Sequence, residues 1–136
     1  MADEPTLRYV LAFTIDQLPP VNSADGTNRW VRRKKRKEWE QLVWFAVRRK
    51  RPKSPLRHAA VSVTRHSSVE PDYDNLAQGG KFILDALVDN MILKDDKRQI
   101  IGTPHYDWKR SAPRRGSVTV SVTEIFDWEL EDKPEG

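Results

Sequence analysis

Val118, Val120 and Val122 alternate with Thr119, Ser121 and Thr123. A side-chain period of two belongs to a strand, and it obliges the chain to build a sheet with one buried face. The same period returns near the start, where Leu7, Tyr9, Leu11, Phe13 and Ile15 alternate with Arg8, Ala12 and Thr14, and again at Ala59, Val61 and Val63. Between these stretches the spacing changes. From about Asn28, Trp39, Leu42, Val43, Ala46 and Val47 fall at i, i+3, i+4, i+7 and i+8, the stripe of an amphipathic helix. Its early part, Arg32 to Lys37, is basic all round and is expected to be frayed or extended. Pro52 and Pro55 close it.

A second helix is predicted from Asp74, as N-cap, to about Asp89, with Leu76, Ile83, Leu84 and Leu87 on its apolar side. Gly79-Gly80 costs about 1 kcal/mol of helix propensity per glycine, so close packing or a bend is expected there. Ile100-Ile101 reads as a short strand and Pro104 to Arg115 as a long basic loop. The order is β-α-β-α-β-β. It implies an α+β two-layer sandwich, with about four strands in a mixed sheet and two helices on one face. With 136 residues the chain has room for one domain, here residues 1–126, followed by an acidic tail at 127–136.

No apolar run approaches the roughly 20 residues of a membrane-spanning helix, and no membrane partner is expected. The acidic start, Met1-Ala2-Asp3-Glu4-Pro5, lacks the basic-then-apolar layout of a secretion signal. The chain has no cysteine, which removes disulfides, thiolate metal sites and a cysteine nucleophile. A cytoplasmic location is the expectation. The net charge is only +4, but 12 of the 24 basic residues lie between Arg29 and Lys53, opposed there by Glu38 and Glu40 alone. Residues 70–96 instead hold seven acids. A basic block beside an acidic block suggests a polyanionic partner and, separately, a cation site.

The acids are Glu70, Asp72, Asp74, Asp85, Asp89, Asp95 and Asp96. In an extended segment Asp72 and Asp74 point the same way, with Tyr73 opposite. Hard divalent cations such as Mg²⁺ take carboxylate oxygens and keep several waters, and phosphodiester chemistry uses carboxylates convergent on such an ion. At 100° per residue, Gln78, Lys81 and Asp85 lie within roughly 40° of Asp74. That places a cation and another carboxylate in line with Asp72 and Asp74, where Lys81 would contact a phosphate. The same residues also fit plainer roles. Acids at helix starts complement the dipole, Lys81 and Asp85 form an ordinary i,i+4 pair, and Asp95-Asp96 fits a turn.

Asp72-Tyr73-Asp74-Asn75-Leu76, then Lys81, then Leu84-Asp85-Ala86-Leu87 and Asp95-Asp96 together resemble the RusA family of Holliday-junction resolvases, phage-borne members included. The opening strand ending in Leu18-Pro19-Pro20, with Asn22 soon after, is also similar. The likeness is loose over residues 7–125 and specific over 70–101. It implies a homodimeric, Mg²⁺-dependent endonuclease that cuts four-way DNA junctions, with Mn²⁺ a possible substitute. It implies catalytic roles for Asp72, Asp74, Asp96 and Lys81, and metal ligation by Asp72, Asp74 and Asp96, with Asp95 beside them. The stretch from Asn75 to Lys81 is about three residues longer than in the family's short form, and Glu70-Pro71 stands where a basic residue is expected. The alternative is a noncatalytic nucleic-acid-binding protein whose acids cap a helix and balance the basic block.

Lys and Arg contacts to phosphates supply most sequence-independent affinity for nucleic acid. Arg32, Arg33, Lys34, Lys35, Arg36 and Lys37 are therefore the expected DNA-binding residues, joined by Arg48 to Lys53 and by Lys109, Arg110, Arg114 and Arg115. Trp30, inside the basic run, is placed to stack on an unpaired base. Trp39 belongs to the core. Trp44 lies off the apolar stripe, which suits a dimer surface or core packing, and Trp108 is expected to pack in its loop. His58, His66 and His105 lack the spacing of a zinc site, and no phosphate-binding G-x-x-x-x-G-K-[ST] loop is present.

Overall fold

The computed structural model describes residues 8–20 and 29–126. Leu7, the Asn22–Asn28 loop and the tail from Asp127 lie outside them. The elements are β1 (Val10–Ile15), α1 (Arg29–Val47), β2 (Ala59–Ser67), α2 (Tyr73–Asp89), α3 (Arg98–Ile101), β3 (His105–Arg110) and β4 (Ser117–Glu124). The strands form one mixed sheet in the order β1-β4-β2-β3. The β4 strand runs antiparallel to both β1 and β2, and β3 lies parallel to β2. It follows that β1, β2 and β3 share one direction, with β4 inserted between the first two. Both crossovers, through α1 and through α2, advance the same way across the sheet. The right-handed rule for such connections puts both helices on one face, as expected for this α+β sandwich.

The alternation of the strands sets which side that is. Leu11, Phe13 and Ile15 of β1 stand in register with Val122, Val120 and Val118 of β4, and Val122 and Val120 continue to Val61 and Val63 of β2. All of these side chains are buried. Against them α1 lays Trp39, Val43 and Val47, and α2 lays Ile83, Leu84, Ala86 and Leu87. The opposite sheet face carries small polar residues, with Thr14 and Thr119 hydroxyls 3.3 Å apart. His66 bonds Thr119 there through Nε2 at 3.0 Å, so it does not turn toward the acids of α2.

Four local expectations are corrected. Arg32 to Lys37 are helical, because the apolar stripe beyond them nucleates α1 and Arg36 forks onto Asp89 of α2 at 3.1 and 3.0 Å. Asp72, not Asp74, is the N-cap of α2; it makes no side-chain cap bond, and Asp74 sits in the first turn. Ile100-Ile101 belongs to α3 rather than a strand. Two apolar neighbours carry no period, so they fit either state. His105 to Arg110 form the edge strand β3 inside the expected loop. As an edge strand it pairs on one side only and tolerates Asp107, Lys109 and Arg110. Trp108 packs from that strand, its indole N–H donating to Ser67 Oγ at 2.9 Å.

The Gly79-Gly80 pair answers to close packing. A Cβ on Gly80 would stand 2.7 Å from Cδ1 and 2.9 Å from Cζ of Tyr106, whose ring lies against the helix backbone. Past α2, Asn90 donates from Nδ2 to Ala86 O at 2.8 Å and to Glu40 O at 3.0 Å, tying the two helices. Met91 takes the left-handed conformation (φ 64°). This reverses the chain, so that Leu93 bridges to Leu56 and the segment after it runs back beside α2. Among the described residues no helix is long and apolar enough to cross a membrane.

Candidate functional site

The β2 strand ends at Ser67 and α2 begins at Tyr73, so Asp72 and Asp74 stand at the carboxyl end of the parallel strands. In open α/β sheets that end is where ligand crevices form. Both acids are exposed. Along α2, Lys81 follows Asp74 by seven residues and Asp85 by eleven. At 1.5 Å and 100° per residue, Lys81 lies about 10 Å down the axis and some 20° round, and Asp85 about 16 Å down on the same ridge. The longer Asn75–Lys81 spacer therefore leaves Lys81 facing the same way as Asp74, two turns further on.

The chain reversal at Met91 returns Asp96 to this ridge. Its Oδ2 accepts a hydrogen bond from Lys81 Nζ, and Asp85 Oδ1 lies 3.3 Å from the same nitrogen. One ammonium thus stands between two carboxylates. Its burial works against the charge, but the Asp96 hydrogen bond and the nearby Asp85 outweigh that, and the Lys81 pKa is raised. The same hydrogen bond holds the Asp96 carboxyl below its usual range despite partial burial. Tyr106 borders the cluster from β3; burial raises its pKa, while Lys81 draws it down. Asp95 is engaged locally. Its Oδ1 accepts the Asp96 N–H at 2.7 Å, and Lys97 Nζ lies 3.8 Å from Oδ2.

The candidate residues therefore divide. Lys81 and Asp96 come together, with Asp85 as the second carboxylate, whereas Asp72 and Asp74 remain two turns away. Among the described residues no three His, Asp or Glu side chains are grouped as a metal site would need. In donor type the residues fit Mg²⁺, which is often held by one or two carboxylates with waters and phosphate oxygens completing the shell. Asp85 and Asp96 converge on the Lys81 ammonium, which occupies the point between them. The four-ligand set of Asp72, Asp74, Asp95 and Asp96 is not gathered about a point.

The expected DNA-binding residues line one helix. Arg32, Arg33, Lys34, Arg36 and Lys37 are exposed on α1 and Lys35 is half-buried, but Arg36 is committed to Asp89. Trp30 is 78% exposed, and Trp44 and Phe45 are also exposed near the other end of α1. Arg65 was not among the candidates. It donates from one terminal nitrogen to Pro19 O at 3.0 Å, while its buried Nε finds no acceptor among the described residues. An arginine following Ala59, Val61 and Val63 at the inward positions of β2 is the sequence signal that marks it. No protein-family model and no curated protein matches the chain.

Proposed function

We propose that the chain is a Mg²⁺-dependent, structure-selective endodeoxyribonuclease that resolves four-way DNA junctions in recombination and repair. In this reading it is a cytoplasmic RusA-type enzyme, bacterial or phage-encoded, with Mn²⁺ able to replace Mg²⁺. The observation that carries the reading is the single ridge of α2, which bears Asp74, Lys81 and Asp85 and receives Asp96 from the return loop. Asp96 and Asp85 would hold the ion, with Asp72 and Asp74 further along the ridge. When bound, the ion polarises the phosphate and prepares a water for attack. Lys81, already charged and oriented by two carboxylates, lies where it can bind a phosphate oxygen and stabilise charge that develops there. The basic face of α1 would grip the DNA arms through phosphates. A homodimer supplies two such centres related by a twofold, as symmetric incision of a junction requires.

A second reading has its own support. Lys81 pairs with both Asp85 and Asp96, leaving one net negative charge, and among the described residues no third acid joins them, an arrangement that serves a noncatalytic nucleic-acid-binding protein equally well. The two are separated by incubating the protein with a labelled four-way junction and a matched linear duplex, in Mg²⁺ or EDTA, beside Asp96→Asn. Paired nicks in the junction alone, lost in EDTA and in the variant, are expected. Lys81→Met is expected to lower cleavage about a hundredfold, with junction binding little changed. A junction bound but uncut under every divalent metal sinks the nuclease reading in favour of the second.

A further inference from the structure

Behind the C-terminal end of α1, the chain from Arg48 to Pro55 wraps a concavity of about 370 Å³ lined by Arg48, Arg49, Arg51, Pro52, Lys53, Ser54, Pro55 and Met91. Four of these eight residues are cations and none is an acid. Among the described residues no carboxylate pairs with Arg49, Arg51 or Lys53. Gathering like charges in one hollow is unfavourable, and an anion relieves it.

The hollow is also held in shape. Lys50 N–H bonds Val47 O at 2.7 Å, and the Tyr9 hydroxyl donates to Lys50 O. At the other end, Leu56 N–H bonds Ile92 O at 2.8 Å and Lys94 N–H bonds Leu56 O at 2.9 Å. Pro52 and Pro55 stiffen the span between. Beside it, Trp44 and Phe45 meet edge to face at 5.2 Å. The Arg48 guanidinium lies 5.6 Å from the Trp44 ring and 5.3 Å from the Phe45 ring, fixing its direction. Phe45 remains 64% exposed and Trp44 41%.

We propose that this hollow holds the phosphates of an unpaired nucleic-acid strand, whose bases stack on the exposed Phe45 and Trp44 rings. Cations with adjacent aromatic faces are what sequence-tolerant single-strand binding uses. A duplex turns its phosphates outward on a convex surface and offers no base face to the rings. The hollow precedes β2 and Asp72 and Asp74 follow it, so the length of β2, roughly 26 Å for nine residues, separates the hollow from those two acids. Asp85 lies closer, six residues before Met91 of the lining. The inference rests on the preceding reading only in taking nucleic acid as the ligand.

The test is binding of a fluorescein-labelled oligothymidylate, followed by anisotropy over a range of salt in EDTA, so that cleavage plays no part. Arg49→Ala, Arg51→Ala and Lys53→Ala combined are expected to weaken binding at least tenfold. The slope of log affinity against log salt should also flatten by about 2, at roughly 0.7 per phosphate on a single strand. Arg49→Glu alone, at an exposed side chain, gives a second reading should the triple variant fold poorly, with a loss of roughly threefold or more expected. Unchanged affinity and slope in folded variants overturns the proposal. So does a loss confined to a matched duplex, which assigns the hollow to paired DNA, or equal displacement by tripolyphosphate and by unlabelled oligothymidylate at equal phosphate concentration, which assigns it to free phosphates. Junction cleavage is read separately and can succeed or fail independently of these outcomes.

Discussion

At Gly80 two physical rules oppose each other. Alanine is the better helix former by about 1 kcal/mol, yet a Cβ there would drive into the Tyr106 ring, and overpacking a filled site costs about 1–3 kcal/mol. Packing wins. Gly80→Ala is expected to lower stability by about 1 kcal/mol in urea titration, with recovery when Tyr106→Val makes room; a stabilised Gly80→Ala would contradict the ring's position. Asp96 tests the neighbouring cluster through pH. Its folded pKa lies below the ordinary 3.8 because Lys81 donates to it, so its contribution is present above about pH 3.8 and is lost as pH falls through the folded value. Asp96→Asn should therefore melt below wild type at pH 6, and the gap should narrow as pH falls below 3.8. A gap independent of pH would mean that the ion pair contributes nothing.

Helix α1 shows which contacts hold an element in place. Trp39, Val43 and Val47 are buried on the sheet, while the Arg36–Asp89 fork has its guanidinium half exposed. Large-to-small changes in a core cost about 3–5 kcal/mol for Trp→Ala, against at most about 1 kcal/mol for an exposed ion pair. Denaturant titration should accordingly find Trp39→Ala severely destabilised and Arg36→Ala nearly unchanged; the reverse order would mean that charge, not packing, docks α1. The same contrast explains what could be read from the amino acids. Elements that bury one full face (β1, β2, β4, α1 and α2) announced themselves by period. The β3 edge strand did not, because only Tyr106 and Trp108 mark its inner side among His105, Asp107, Lys109 and Arg110. Ile100-Ile101 was too short to carry any period.

Across the whole molecule, the two-layer architecture followed from element order, but the insertion of β4 between β1 and β2 did not, since pairing depends on contacts far apart in the chain. The site was legible in the same uneven way. The shared face of Asp74, Lys81 and Asp85 is helix geometry alone, whereas the partnership of Lys81 with Asp96 depends on the reversal at Met91, a left-handed position that no glycine announces. Asp85 on this ridge and Asp96 on the return loop are proposed to form one cation centre. Its most direct test is a titration of ¹⁵N-labelled protein with Mn²⁺, watching paramagnetic broadening of backbone amide signals. Signals of residues 85 and 95–96 are expected to broaden at substoichiometric Mn²⁺, ahead of those of 72–74, and to recover when Mg²⁺ is added in excess. Uniform broadening over the acidic surface, or none along α2 and the return loop, would contradict such a centre.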